Sequence, residues 1–282
     1  MPSMNSVSAL YDERMDTPLV SAEEISSFEA DGAICLRQIV SHEWLESLSA
    51  ASDEALASPP SDPGQKYFKH IRLWQKIATF RSFCTESVLP EIAASMLKTN
   101  KVNLLYDQLF AKQPSMVDRT TWHNDQPYWP FRGQPLMSFW VALDDVDESL
   151  GALEFIRGSH AWNAWYQPIH GDEQGRVKST PEAGPGFIEM PDFERQRARH
   201  EILRWDMQAG DVIAFHAMSV HGATGNTSGD KVRRAYSVRY AGADIEYKDS
   251  SDIPGRNLDL INPALRDGSP LDSEMFPVVF RA

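Results

Sequence analysis

The chain has 282 residues, 42% of them hydrophobic and 24% charged, the balance of an ordinary soluble globular protein with enough length for one large domain. A formal net charge of −13 repels phosphate backbones, and with no Lys/Arg stripe present nucleic acid is not an expected partner. No apolar run approaches the roughly 18 residues a membrane span requires, the first twenty residues lack the apolar centre of a secretion signal, and Cys35 and Cys84 alone form neither a disulfide framework nor a CxxC pair. The expectation is a cytoplasmic protein with two free thiols. Composition leaves monomer and homodimer equally open.

Residues 1–20 read as a loose arm and 21–282 as one folded domain. Ser21 and Glu24 form a capping-box pattern ahead of a short helix with Ile25 and Phe28 on one face, ending near Asp31-Gly32. AICLRQIV is strand-like. Ser41 then offers a second cap, and Trp44, Leu48, Ala51 and Ala55 recur at helical spacing. Residues 58–64, SPPSDPG, are a loop by composition. Pro90 suits a first helical turn before Ile92, Ala93, Met96 and Leu97.

From residue 102 the period becomes strand-like: VNLLYDQLFA, PLMSFWVAL, ALEFI, DVIAF and AYSVRYA are short runs separated by turn-forming residues. A polar, irregular stretch over residues 163–200 interrupts them and is expected to be a lid. Its Phe187, Ile188 and Met190 are expected to touch substrate, and Arg195, Arg197 or Arg199 to bind a substrate carboxylate. The tail after Asp244 reads as surface coil. Helices first and many short strands after predict a β-sandwich or barrel buttressed by N-terminal helices.

The segment TTWHNDQPYWPF places His123 and Asp125 two residues apart, which on a strand aims both side chains at one face. A second HxD, His170-Gly171-Asp172, lies in a polar, Gly-containing stretch and reads as solvated loop. His221, just after the strand DVIAF, is the expected third ligand; His216 competes, but its apolar neighbours suit a hydrogen-bonded core histidine. Two imidazoles and a carboxylate on three adjacent positions of an octahedral ion leave three open, enough for a bidentate 2-oxo acid and O2. Twelve positions beyond His221 stands Arg233, suited to bind the distal carboxylate of such an acid; Arg234 faces the other way on a strand. Tyr128, Trp129 and Phe131 are aromatic and could line a substrate pocket. Asp144, Asp145, Asp147 and Glu148 read as a solvated turn, and Arg157, Arg239 and Tyr240 as structural.

Taken in order, HNDQPYWPF, GALEFIRGSH, GDVIAFHAMSVHG and RRAYSVRY resemble the phytanoyl-CoA dioxygenase family, over about residues 21–241. The resemblance implies a mainly β fold, a double-stranded β-helix (a cupin-like jelly roll). It also implies Fe(II) on His123, Asp125 and His221, 2-oxoglutarate on Arg233, and O2 as the oxidant. By position it further implies co-substrate contacts from Asn124, Trp140, Gln108 and Lys69, with Thr224 standing where relatives often have Ser. Because Asp125 is present, hydroxylation or desaturation is expected and halogenation is not. The expected substrate is a small organic molecule contacted by Tyr128, Trp129 and Phe187. The alternatives are a non-catalytic cupin-like binding protein, which has no need to keep all four residues, and a metal-dependent isomerase or hydrolase, which has no need of Arg233.

Overall fold

A computed structural model describes residues 18–57, 67–171, 177–179, 186–249 and 257–282. The expected loop at 58–64 and most of the N-terminal arm lie outside them, although Val20 is already buried in the core.

Four helices come first: α1 (Ala22–Asp31), α2 (His42–Ala57), α3 (Ala78–Glu86) and α4 (Leu89–Met96). The capping box at α1 is present in full, with the Ser21 hydroxyl accepting from the Glu24 amide and the Glu24 carboxylate from the Ser21 amide. Gly32 ends α1 at φ 78°, and a Cβ there would lie 2.3 Å from His160 and 2.7 Å from the Ser219 hydroxyl. Left-handed backbone and close approach together require glycine at this position.

Two antiparallel sheets carry the rest. The larger runs in the order Ala33–Leu36, Val212–His216, Leu136–Ala142, Arg233–Ala241, Lys101–Lys112, Val278–Arg281, with Tyr67–Ile71 also paired to Lys101–Lys112. The smaller runs Ile202–Leu203, Leu153–Ile156, His221–Ala223, Thr120–His123. Strand alternation divides the large sheet cleanly. Leu104, Leu109, Phe139, Val141, Tyr236, Val238 and Tyr240 face outward under Leu48, Phe80, Phe83, Ile92 and Met96 of the helices. Trp140, Ala142, Ile213, Phe215 and Ala235 face inward against Phe155, Leu153 and Ala223 of the small sheet. The result is a double-stranded β-helix with helices on its outer large-sheet face.

The tail departs from its expected surface character. Tyr247, Leu260, Leu271 and Phe276 are at most 1% exposed in a core cluster with Phe131 and Leu136, and Val278–Arg281 adds a strand to the large sheet. Isolated apolar anchors among Pro and Asp residues give no periodicity to read, yet each fills a pocket. Phe276→Ala should therefore cost about 3–5 kcal/mol, read as a lowered urea midpoint; an unchanged midpoint would return the tail to the surface.

Between the helices and the sheet lies a buried polar knot. The Tyr236 hydroxyl donates to Asp107 at 2.6 Å, the Trp74 amide to the same carboxylate oxygen at 2.9 Å, and the Tyr240 hydroxyl to the Cys84 carbonyl at 2.7 Å. Burial pushes the Asp107 carboxyl up to about 6, against the opposing Tyr236 and Trp74 hydrogen bonds. A carboxyl raised in the folded state favours folding while it is neutral, and that advantage is lost as pH rises through 6. The difference in melting temperature between Asp107→Asn and the parent should thus move in favour of Asn by about 2–5 °C between pH 4.5 and pH 7.5. A difference independent of pH would mean that Asp107 does not titrate in this range.

Candidate metal centre

His123 ends one strand of the small sheet and His221 begins its neighbour, where the two are paired directly across the ladder. Alternation turns both rings toward the large sheet, with centroids 4.2 Å apart. Each Nδ1 lies against a carbonyl two residues earlier, that of Thr121 at 2.8 Å and that of Ser219 at 3.0 Å. A carbonyl only accepts, so each Nδ1 carries the proton and each Nε2 presents a lone pair inward. Burial, followed by the neighbouring His123, drives His221 down to about 4, so it is neutral at physiological pH, as a metal ligand must be.

Asp125 reaches the same point by a route unlike the one expected. The strand ends at His123, and Asp125 caps a short 3-10 turn, Gln126–Tyr128, with helical backbone angles. The turn, not strand alternation, aims its carboxylate. Its amide and that of Gln126 both donate to the Ala217 carbonyl, at 2.9 and 3.0 Å, and Ser138 donates to the carboxylate at 3.3 Å. Burial opposes ionisation of Asp125, but the electrostatic pull of His221, Arg239 and His123 and the Ser138 hydroxyl outweigh it and hold the carboxyl below its usual range.

The Asp125 Oδ1 stands 3.6 Å from His123 Nε2 and 3.9 Å from His221 Nε2, and one donor atom from each of the three lies within 4.8 Å of the others. Adjacent donors around one ion at about 2.1 Å would be roughly 3 Å apart. The two Asp125 edges would close by less than about 1 Å, and the third, at most 4.8 Å, by less than about 2 Å, to complete a 2-His-1-carboxylate set, a donor set that suits iron. Among the described residues no other His/Cys/Asp/Glu cluster has this form. His216 lies elsewhere, Nε2 to the Gln134 carbonyl at 2.8 Å and Nδ1 accepting from Met218. His170 lies on a short strand, Ile169–Gly171, paired with Val177–Ser179, where a solvated loop was expected; its side chain and all of Asp172 fall outside the described residues.

Behind the histidines, Phe155 stacks on His221 at 5.5 Å and Phe215 approaches at 4.9 Å, a dry wall. Tyr128 stands edge-on to His123 at 6.1 Å and is partly exposed, as a pocket-lining ring should be. Trp129 is 1% exposed and donates its indole N–H to Tyr106, so it builds the wall without offering surface to a ligand. Asn124 points away from the ligands: its amide donates to the Ala164 carbonyl at 2.8 Å, an anchor for the following chain.

The inner face of the large sheet supplies cations. Arg233 is 2% exposed, beside Trp140 (5.2 Å from guanidinium carbon to ring), and donates to the Leu150 and Gly151 carbonyls. Arg234 faces outward and pairs with Asp144 and Asp53, each at 2.6 Å. Cross-strand from Arg233 is Lys112, 1% exposed, donating to the Thr224 carbonyl at 2.5 Å. Burial, then the charge of Arg233, lowers the Lys112 ammonium to about 7. Sequence reasoning missed Lys112, although it lies four residues after Gln108 and hence on the same strand face. The Thr224 hydroxyl is given to the Glu148 carbonyl at 2.7 Å. Lys69 is on the strand Tyr67–Ile71, paired with Phe110; its side chain lies outside the described residues.

The expected lid contacts are distributed otherwise. Phe193 packs with Trp122, Ile156, Tyr166 and Val220 on the outer face of the small sheet. Arg197 pairs with buried Glu154 there at 2.8 Å, and Arg195 pairs with Asp192 at 3.3 Å, so neither is held in reserve for a substrate carboxylate. Ile188 is exposed and Met190 packs toward Phe193. Phe187 stands edge-on to Trp165, which is itself 4.4 Å from the Arg132 guanidinium.

Comparison with known proteins agrees with this geometry. Bovine (Bos taurus) peroxisomal phytanoyl-CoA dioxygenase is 23% identical over 266 residues, covering 86% of this chain and 74% of that one. Among solved structures, the non-haem α-ketoglutarate-dependent carbocyclase SnoK of nogalamycin biosynthesis superposes with a TM-score of 0.71 at 22% identity, over 93% of this chain and 98% of the other. EctD of Sphingopyxis alaskensis with 2-oxoglutarate and 5-hydroxyectoine superposes at 0.67 and 19% identity, over 90% and 87%. No helix among the described residues is long and apolar enough to cross a membrane. Residues 28–235 match the phytanoyl-CoA dioxygenase (PhyH) family, and the chain belongs to it.

Proposed function

We propose that the chain is an Fe(II)- and 2-oxoglutarate-dependent dioxygenase that hydroxylates an unactivated C–H bond of a small organic molecule, with release of succinate and CO2. One observation carries the reading: the His123–Asp125–His221 triangle and the buried Arg233–Lys112 pair occupy the same interior, one suited to a metal and the other to an anion. A non-catalytic binder or a metal-dependent hydrolase would have no use for both.

Under this reading His123, Asp125 and His221 hold the iron, which with 2-oxoglutarate and O2 supplies the oxidation. Arg233 receives the distal carboxylate in its planar fork, Lys112 adds a second charge, and Trp140 covers the guanidinium. Phe155 and Phe215 keep water from the rear of the centre. Tyr128 is placed to touch substrate beside His123. The carbocyclase label on SnoK makes ring formation the second outcome for a centre of this build; a product heavier than substrate by one oxygen distinguishes hydroxylation from it.

Anaerobic addition of Fe(II) and 2-oxoglutarate should produce a weak visible charge-transfer band, and its absence would refute the reading. Arg233→Ala should raise the 2-oxoglutarate needed for half-saturation of that band by about 30-fold or more, the loss of a charge-assisted pair, while Fe(II) binding stays nearly unchanged. Saturation at the parent concentration would remove Arg233 from the site. Lys112 supplies a pH signature. It is lowered to about 7 without an anion, and a bound carboxylate favours its charged form, so binding above pH 7 takes up a proton. Affinity for 2-oxoglutarate should weaken as pH rises from 7 to 9, and Lys112→Met should flatten that slope; an identical slope in the variant would exclude Lys112.

A further inference from the structure

A cavity of about 620 Å³ opens outside the double-stranded β-helix, where the helical layer meets the tail. That volume is ordinary for a small-molecule site. One wall is the 3-10 turn Leu73–Gln75 with the first turn of α3, and the other is the tail around Asn262 and Met275. Trp74 belongs to the core under the helices, and its amide donates to Asp107 on the outward side of the strand Lys101–Lys112. The large sheet therefore stands between this cavity and the metal centre.

Three charged side chains line it: Arg72, Arg81 and Glu274. No ion pair joins any of them to another described residue, nor to one another. Both arginines are nonetheless held in place. Arg72 donates from Nη1 to the Asp259 carbonyl at 2.6 Å, and Arg81 from Nε and Nη2 to the Trp74 and Gln75 carbonyls at 3.2 and 2.9 Å. Each guanidinium is thus fixed by backbone, while Nε and Nη2 of Arg72 and Nη1 of Arg81 have no acceptor among the described residues. Arg72 also keeps a left-handed backbone, φ 58° and ψ 36°, a conformation that a residue with a Cβ holds only where its surroundings enforce it. In the same wall Trp74 is 8% exposed, and its indole N–H has no acceptor.

Opposite charges that line one cavity without meeting define the ligand. A plain anion is repelled by Glu274, and a plain cation by the two arginines. A molecule bearing both signs answers all three, its carboxylate accepting from the fixed donors of Arg72 and Arg81 and its ammonium donating to Glu274. We propose that this cavity is a second small-molecule site, separate from the metal centre, and that it binds a zwitterion of the amino-acid type. Binding there needs neither iron nor 2-oxoglutarate, so the proposal stands or falls independently of the dioxygenase reading.

The test is an equilibrium titration of the full, metal-free chain with the common L-α-amino acids and with straight-chain C3–C8 ω-amino acids. Each is accompanied by its carboxamide, which lacks the carboxylate, and by its deaminated acid, which lacks the ammonium; inorganic phosphate is titrated separately. At least one amino acid should bind with a dissociation constant of about 1 mM or below, and both of its analogues about tenfold more weakly. Glu274→Gln should bring that amino acid down to the level of its deaminated acid, and Arg72→Met to the level of its carboxamide. Saturating 2-oxoglutarate should leave the constant unchanged. The proposal is overturned if no amino acid binds, if either analogue binds as well, or if phosphate binds as tightly, which would leave an anion site only. A variant that titrates like the parent would also overturn it, as would displacement by 2-oxoglutarate, which would assign the ligand to the interior. Because Arg72 ties down the tail, the exposed and nearly isosteric Glu274→Gln decides alone should Arg72→Met fail to fold.

Discussion

Direct pairing of His123 with His221 across the small sheet is the constraint from which the rest of the centre follows. Because the two residues face each other in an antiparallel ladder, their rings leave the same face side by side. Because each Nδ1 proton goes to a carbonyl two residues back on its own chain, neither ring can turn its other nitrogen away from the sheet opposite. A third donor must then come from the space between the sheets, where no strand runs. The turn at Asp125 enters that space, and it is tied by two amides to Ala217, on the link that carries the chain from the large sheet to His221. The two halves of the ligand set are thus fastened to one another through backbone, before any ion is present.

Charge inside the double-stranded β-helix has the opposite sign to charge on the whole chain. The protein carries −13 overall, yet Lys112, Arg233 and Arg239 are all buried on the inner face of the large sheet, with Asp125 among them. The buried acids Asp107 and Glu154 are turned outward, one toward the helices and the other toward Arg119, Arg197 and Arg204. Such a separation makes the interior receptive to anions while the exterior repels them at long range, a combination that favours small acids over polyanions.

Much of this was legible in the residues. The capping box, the helical face of α2 and the alternating runs from residue 102 all follow local rules, and the ligand triad stood out because a turn-flanked HxD and a later His-Gly bracket the strands between them. What escaped was whatever depends on register between distant strands. Lys112 gains meaning only when paired with Arg233, and Arg239 only when Gln108 and Ser138 lie beside it. The tail escaped for another reason: Leu260, Leu271 and Phe276 act as single plugs, and a plug has no period. The aromatic run after His123 mixed two roles, since Tyr128 and Trp129 are adjacent yet one rims the site and the other is sealed within the wall.

Strand Leu153–Ile156 has two unlike sides. Phe155 lies against the ligand His221, and Glu154 on the reverse is gripped by Arg119 and by Arg197 from the long insertion. The insertion is therefore riveted to the back of the wall whose front holds the metal. Lengthening, shortening or exchanging its outer portion would load the rivet and leave the ligands undisturbed, which makes this segment a natural place for grafting. New recognition elements could be carried there on a scaffold whose oxidising chemistry stays fixed.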